Sequence, residues 1–373
     1  MTQARPFKKV LPSPAGLLLA ILLANDGVEV QVLEAAGDVD RRPRAAYYGT
    51  ASIPDLKRAG VLDEIRNLGF PPTSFTSRQF GGDYTCLGLL DTNIIADVDG
   101  QDLRSACLPQ QDLLEIFVRR VESNPLVKIS WQHKVLGVGH DKQSAWVDVE
   151  TAEGKTTIEA DYVTYYDLEK FGFTHANFVS HPKNFFIAAK LNKEGLFRIT
   201  YAEPVDMSYE EVEKRLPKRL EEILPGNPKQ GSYKMLGWAP HKIHQRCVPS
   251  MRVGRIMVAS DAAHLCNPLG GLGVTGGIVD VGGLADCLLG IWHGRADESI
   301  LDLWSEKRKE KWYNITDKVT TDNFMKTTCR YPLEKLRQRP EWTKSDEARK
   351  EFLLQRLGLR YDFTQHYIQT TVV

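Results

Sequence analysis

The sequence predicts an α/β protein in which strands with helices occupy the two ends of one unit and a strand-rich block sits between them. Three observations carry this. The apolar run at 15–24 leads at once into Val28-Glu-Val-Gln-Val-Leu33, a strand–helix–strand pattern over roughly 8–34. A Gly-rich loop after Arg255-Ile-Met-Val-Ala259 feeds a helical pattern to about 292. Between these ends, residues 127–202 are dominated by alternating and aromatic runs. At about 150 residues per domain, the 373 residues allow two or three domains.

The elements follow in order. Residues 15–24 are apolar on every side, which suits a helix buried among other elements. Asn25-Asp26-Gly27 is a turn signal before the strand ending at Glu34. Helical patterns occupy 52–68 and 110–123. Residues 127–138 and 144–162 read as strands, with Glu153-Gly154 at a hairpin turn. Further strands are expected around Asn177, Phe185 and Leu196–Tyr201. Met207–Leu224 reads as a helix: Ser208 is a good N-cap, Glu210 and Glu211 complement the dipole, and Pro225-Gly226 stops it. Residues 255–259 read as a short buried strand, and 299–373 as charged and mostly helical.

Composition removes several function classes. Lys plus Arg and Asp plus Glu are both 48, so the chain lacks the basic excess of a nucleic-acid binder. With 42% hydrophobic residues it is not disordered. The six cysteines are scattered without a Cys-x-x-Cys pair, which points to free thiols in a reducing compartment rather than zinc or disulfides. Arg5, Lys8 and Lys9 before the apolar run imitate a secretory leader. That run falls short of the about 20 residues a bilayer needs, and a strand follows it directly. A cytoplasmic protein without an integral membrane segment is expected.

Two stretches carry chemistry. In Leu11-Pro-Ser-Pro-Ala-Gly16, followed 18 residues later by Glu34, the acid has the spacing of a ribose ligand in a dinucleotide fold. Only Gly16 survives of the three loop glycines; a buried helix without ligand reads equally well. The second stretch runs Asp261-Ala-Ala-His264-Leu-Cys-Asn-Pro268-Leu-Gly270-Gly271-Leu-Gly273-Val-Thr-Gly-Gly277-Ile-Val-Asp280. An Asp at a strand end accepts hydrogen bonds from a polyol. A glycine loop feeding a helix N-terminus presents N–H groups and positive dipole to an anionic ring edge. Gly276, Gly277, Gly282 and Gly283 inside the helix each cost about 1 kcal/mol relative to Ala, so close packing against a ligand or neighbour is expected.

This second stretch resembles the flavin motif of the FAD-dependent aromatic hydroxylases, the p-hydroxybenzoate hydroxylase-like group A flavoprotein monooxygenases. The chain departs from their pattern at Ser260, where Gly is preferred, and at Thr275, where Asn is preferred. The resemblance spans about 1–325 and implies a Rossmann-like FAD-binding domain (1–75, 105–163 and 251–325). It also implies an inserted mixed β-sheet substrate domain (76–104 and 164–250) and a helical C-terminal tail (326–373). The implied cofactor residues are Gly16, Glu34, Arg44, Gln110, Asp261, Pro268, Gly271, Gly273 and Val274. NADPH or NADH would be the transient reductant. The implied reaction is hydroxylation or epoxidation of an aromatic or unsaturated small molecule through a flavin hydroperoxide, in the fungal branch as secondary-metabolite tailoring; a homodimer stays open.

One family motif is missing. After the strand Glu159–Val163 the family has Asp-Gly and then Ser and Val-Arg; here the chain reads Thr164-Tyr-Tyr-Asp167-Leu-Glu-Lys-Phe-Gly172. Tyr165–Gly172 is therefore expected in the substrate-domain sheet already. The eroded loops leave an alternative open, a flavin-fold protein without redox activity such as a non-redox cyclase or isomerase. A generic Rossmann NAD-binding protein or methyltransferase would not need the 261–280 stretch. His175, His181, His241, His244, Tyr165, Tyr166 and Tyr201 are candidate bases in the substrate domain, each equally readable as a packing residue. His264 reads as structural beside Asp261, and Glu306–Lys311 as a solvated helix face.

Overall fold

The computed structural model describes residues 14–39, 44–140, 145–151, 163–165, 168–204, 207–238, 243–331 and 343–368. The Leu11 and Ser13 loop positions, the Glu153-Gly154 turn, Tyr166 and His241 lie outside these residues.

The larger unit is built on helix α1 (Pro14–Ala24) and strand β1 (Val30–Leu33). Residues 15–24 of α1 are all buried, as an all-round apolar helix requires. Gly27, at φ +84°, turns the chain back into β1. β1 pairs in parallel with β6 (Val127–Ser130), beside which lies α4 (Gln110–Glu122). The helical pattern at 52–68 is two helices, α2 (Ile53–Arg58) and α3 (Leu62–Leu68). Gly60 at φ +72° separates them. The long helix α6 (Gly273–Trp292) packs on α1, and α7 (Ile300–Lys311) packs on α6. One hydrophobic cluster joins α1, β1, α4, α6 and α7, with Leu18, Phe117 and Trp304 fully buried. Among the described residues α6 is the one helix long and apolar enough to cross a membrane, and most of it is buried inside the protein.

The second unit is a seven-stranded mixed sheet. Its strands are β3 (Ser74–Gln79), β4 (Cys86–Asp91), β9 (Val163–Tyr165), β10 (Ala176–Ser180), β11 (Phe186–Lys190), β12 (Leu196–Tyr201) and β13 (Lys234–Gly237). The order is β13-β9-β12-β11-β10-β3-β4, with only β3 and β10 parallel. Helix α5 (Tyr209–Ile223) covers one face through Val212, Leu216 and Leu220, which meet Phe186, Phe197 and Ile199. The Ser208 hydroxyl caps it and Glu211 returns a bond to the Ser208 N–H, a full capping box. The opposite face carries half-buried Phe75, Ser77, Phe178, Ser180, Ile187 and Thr200. It turns toward α8 (Lys318–Thr327), where Phe324 meets Phe185 edge-on and the Thr327 carbonyl accepts from the His181 N–H. A last helix, α9 (Asp346–Leu354), packs against β4 and Phe75.

Three strand expectations are corrected. Residues 127–138 are not one strand: Gln132, at φ +60°, ends β6, and β7 (His133–His140) pairs instead with β8 (Ala145–Thr151). The 255–259 run is not a buried strand. Gly254, at φ +57°, folds Ile256–Met257 back onto Arg252–Val253 as a two-residue hairpin, and Ile256 and Met257 are only half-buried. Val163, expected to end a strand of the first unit, lies in the seven-stranded sheet, paired with Arg198 and Gly237; Tyr165 is in that sheet as expected, whereas Glu169–Phe171 is a 3-10 turn and not strand.

Candidate functional site

The first turns of α6 and the loop before them form the core of the site. Ser260 follows extended Ala259 and adopts φ +57°, a left-handed conformation costly for any residue but Gly. What holds it is Asp280, fully buried on α6. One Asp280 carboxylate oxygen accepts from the Ser260 N–H at 3.0 Å and from His264 Nε2 at 2.7 Å. The other accepts from Arg308 Nε at 2.7 Å. Burial alone would raise the Asp280 pKa, but His264 and Arg308, with the hydrogen bonds from His264 and Ser260, hold it far below the usual carboxylate range. The Asp280 carbonyl accepts from Trp304 Nε1. This cluster fixes the turn Ser260–Ala262 and leaves Asp261 exposed on its outer side.

Two expectations change here. His264 pairs with Asp280, not Asp261. Residues 306–311 are not simply a solvated face: Arg308 is buried and anchors the cluster. Sequence reasoning missed Arg308, and only the buried acid at a distance of 28 positions could have signalled it.

The glycine loop is pinned from outside. Gln245 accepts from the Asn267 N–H and donates to Thr320 on α8, while Asn323 donates to the Leu269 carbonyl. A Cβ on Gly270 would lie 2.4 Å from Thr320 Cγ2, so only glycine allows this approach. Gly271 and Gly273 differ: a Cβ on either meets nothing within 4 Å. Gly271 (φ +61°) and Pro268 are exposed, and Gly273 and Val274 half-exposed, at the tip of a 20-residue helix. The first N–H groups of that helix lack intrahelical acceptors and face this open side.

Strand β2 (Tyr47–Tyr48) brings the next candidates in. It pairs with β5 (Ala106–Cys107), so the Gln110 N–H donates to the Ala45 carbonyl at 2.9 Å and Arg44 lies alongside. The Arg44 carbonyl accepts from Arg198 on β12. The Gly49 N–H donates to Thr275 Oγ1 at 2.9 Å, so Thr275 ties α6 to the Arg44 segment. The 44–49 segment thus reaches the first turn of α6 at Gly49, with Gln110 tied to its other end at Ala45. Gly16 is buried in the first turn of α1, and Glu34 directly follows β1, where its carboxylate accepts from the Ala36 N–H. A cavity of about 330 Å³ opens beside that end of β1, between residues 37–39 and Glu115, Arg119 and Trp131.

The helix glycines pack against the protein itself. A Cβ on Gly277 would strike Ser260 Oγ, on Gly282 the Asp55 carboxylate, and on Gly283 the Phe363 ring. Among the candidate bases, His175 lies tilted against the Phe70 ring and 3.3 Å from Thr73 Oγ1. Burial, then Lys190, lowers its pKa, so it is neutral near pH 7. His181 Nδ1 caps a turn by accepting from Lys183 and Asn184. Tyr201 turns to the α5 side, under the Arg219 guanidinium. His244 is exposed. The six cysteines are free thiols, and burial pushes Cys107, beside Tyr47, up to about 12. Among the described residues no cluster of His, Cys, Asp or Glu can hold a metal.

The open, glycine-lined helix tip offers unpaired backbone N–H groups and an exposed acid, while the glycines further along α6 are packed against the protein itself. Comparison with known proteins places the chain in a family. The family model described as "FAD binding domain" matches residues 12–164 and 177–319. Para-nitrophenol 4-monooxygenase of Pseudomonas sp. (strain WBC-3) is 31% identical over 344 residues, 83% of this chain and 84% of the relative. The 6-hydroxy-3-succinoylpyridine 3-monooxygenase of Pseudomonas putida (strain DSM 28022 / S16) is 27% identical over 83% of this chain and 86% of the relative. The crystal structure of p-nitrophenol 4-monooxygenase from Pseudomonas putida DLL-E4 superposes with a TM-score of 0.85 at 29% identity, covering 95% of this chain and 98% of that one.

Proposed function

This chain belongs to the FAD-binding-domain family, among the group A flavoprotein aromatic monooxygenases, which work with FAD and NAD(P)H, and from that premise we propose that it hydroxylates a small phenol-type ring. The alternative of a redox-inactive cyclase or isomerase finds no support in the relatives. Secondary-metabolite tailoring and a cytoplasmic location remain part of the proposal, as does the division into FAD-binding domain, inserted sheet domain and C-terminal tail.

On this reading Asp261 binds the ribityl chain and Glu34 the adenosine ribose. Gly16, in the first turn of α1, admits the pyrophosphate to that helix end. Arg44 and Gln110 flank the ring, and Pro268, Gly271, Gly273 and Val274 present backbone to its pyrimidine edge. Bound FAD, reduced by NAD(P)H, supplies the oxygen-activating chemistry. The α6 N-terminus stabilises negative charge on the ring without a side chain. The apolar face with Phe75, Phe178 and Ile187 seats the aromatic substrate and keeps water away. The observation that carries the reading is the pair Gly271 and Gly273, open to space at the α6 tip beside exposed Asp261.

The test is direct. Purified protein is loaded with FAD, and NAD(P)H oxidation, oxygen uptake and product mass are followed with a panel of phenols. Phenol-dependent oxidation with a product heavier by one oxygen is expected. A protein that takes up no FAD and consumes no NAD(P)H with any phenol would refute it.

A further inference from the structure

Asn323 holds the glycine turn from behind. On α8, its Nδ2 donates to the Leu269 carbonyl at 3.0 Å. The Leu269 N–H donates to Asn267 Oδ1 at 3.1 Å. Both polar groups of Leu269 are thus taken by side-chain amides, which together set the plane of the turn leading into Gly271. Asn267 is itself buried, and its N–H and Nδ2 both donate to Gln245 Oε1. Gln245 Nε2 donates in turn to Asp317 at 2.7 Å and to Thr320 at 2.8 Å. One helical turn before Asn323, the Thr320 methyl closes on Gly270. Helix α8 therefore backs two successive residues of the turn, while a Cβ on Gly271 or Gly273 would meet nothing within 4 Å.

The helix is shaped for this. Residues 300–327 form one helical run, interrupted by the π segment Trp312–Asp317. At about 100° per residue, an unbroken α-helix would set Thr320 about 120° round the axis from Arg308. A π turn inserts one residue, which leaves Thr320 about 20° to one side of Arg308 and Asn323 about 40° to the other. Arg308 holds Asp280, and through it the Ser260 turn. One helix face thus supports both parts of the proposed flavin tip, the acid side through Arg308 and the glycine side through Thr320 and Asn323.

We propose that Asn323 is a positioning residue for reduction of the bound ring: through the Leu269 carbonyl it aims the N–H groups of the α6 tip, so that they bind the ring more tightly once it is charged. This rests on the placement of the ring at that tip. Reduction by NAD(P)H delivers two electrons and one proton as hydride, releases NAD(P)+ and adds one negative charge to the ring. Donors fixed in advance favour that charge without reorganising; a turn free to rock loses this selectivity first and holds the neutral ring nearly as well.

The experiment compares wild type, N323A, N323L and N323Q. The control is T328V, at the end of the same helix, where the Thr328 hydroxyl donates to the Phe324 carbonyl. Asn323 is only half-buried, so its loss leaves the fold standing. Affinity for oxidised FAD is read by fluorescence quenching and the two-electron potential of bound FAD against a reference dye, with melting of the apoprotein in parallel. N323A and N323L should both lose about 10-fold more affinity for reduced than for oxidised FAD, which lowers the potential by about 30 mV. Oxidised FAD should bind within about 3-fold of wild type. N323Q keeps an amide donor and should lie between wild type and N323A, while T328V should keep the wild-type potential. Where N323L melts too low to be loaded, N323A reads the same quantity. A folded N323A with the wild-type potential, an equal loss of affinity for both redox forms, or the same shift in T328V would overturn the role of Asn323 alone. A wild type that takes up no FAD would instead refute the placement of the ring.

Discussion

Replacing Asp280 with Asn removes the charge that holds the Ser260 turn. The wild-type carboxylate accepts three bonds, from Ser260 N–H, His264 and Arg308, inside a fully buried setting. An Asn retains one acceptor oxygen and turns its amide donor against another donor. Arg308 is left with the Leu359 carbonyl and no carboxylate. Breaking a buried pair from one side costs about 3–5 kcal/mol. At roughly 2–4 °C per kcal/mol for a protein of this size or somewhat less, the melting temperature should fall by about 10 °C. The strained Ser260 should relax, taking Asp261 and FAD retention with it. The pH dependence has a defined sign. A carboxyl held below its ordinary value contributes stability that is full above that value and lost as pH falls through the depressed one. The gap between wild type and D280N should therefore be flat from neutral pH down to about 5 and close only below about pH 4. Differential scanning calorimetry across that range measures it. D280N/R308M, which removes the orphaned charge, should recover part of the loss. A D280N protein melting within about 2 °C of wild type, or a gap that closes near neutral pH, would refute this reasoning.

Three further outcomes follow from the same contacts. S260G should stabilise the protein by about 1 kcal/mol, because it relieves the left-handed conformation; urea denaturation reads this. G277A should destabilise wild type by about 1–3 kcal/mol through the clash with Ser260 Oγ, and by much less in the S260G background. R360M removes the partner that joins the C-terminal tail to buried Asp55 and to the Ala51 carbonyl at 3.0 Å. It should cost about 3 kcal/mol and make the tail the first segment cut in limited proteolysis.

Much of the architecture was legible because it depends on local pattern. The all-apolar helix at 15–24, the Ser208 cap and the Gly-rich entry into α6 each announce themselves within a few residues. The glycine loop was legible for the same reason, since open backbone at a helix tip needs glycine wherever the chain leads next. What stayed hidden depends on partners far along the chain. Arg308 looked like one more charge in a basic run until Asp280 lay beside it. The internal glycines of α6 announced close packing without saying against what; Ser260, Asp55 and Phe363 are the neighbours that take up that room. Residues 255–259 have a strand's composition, but Gly254 turns them back on Arg252–Val253 before a sheet can form. Ser260 in a left-handed conformation was visible only as a departure from glycine, with the strain and its Asp280 anchor unseen.

Titrating the purified protein with FAD, and D261A beside it, asks the central question most plainly. The account expects wild type to bind one FAD per chain, and D261A, folded and melting as wild type does, to bind it about 100-fold more weakly through loss of the ribityl hydrogen bonds to a charged acceptor. Equal affinity in the two proteins would contradict the placement of the flavin at the α6 tip.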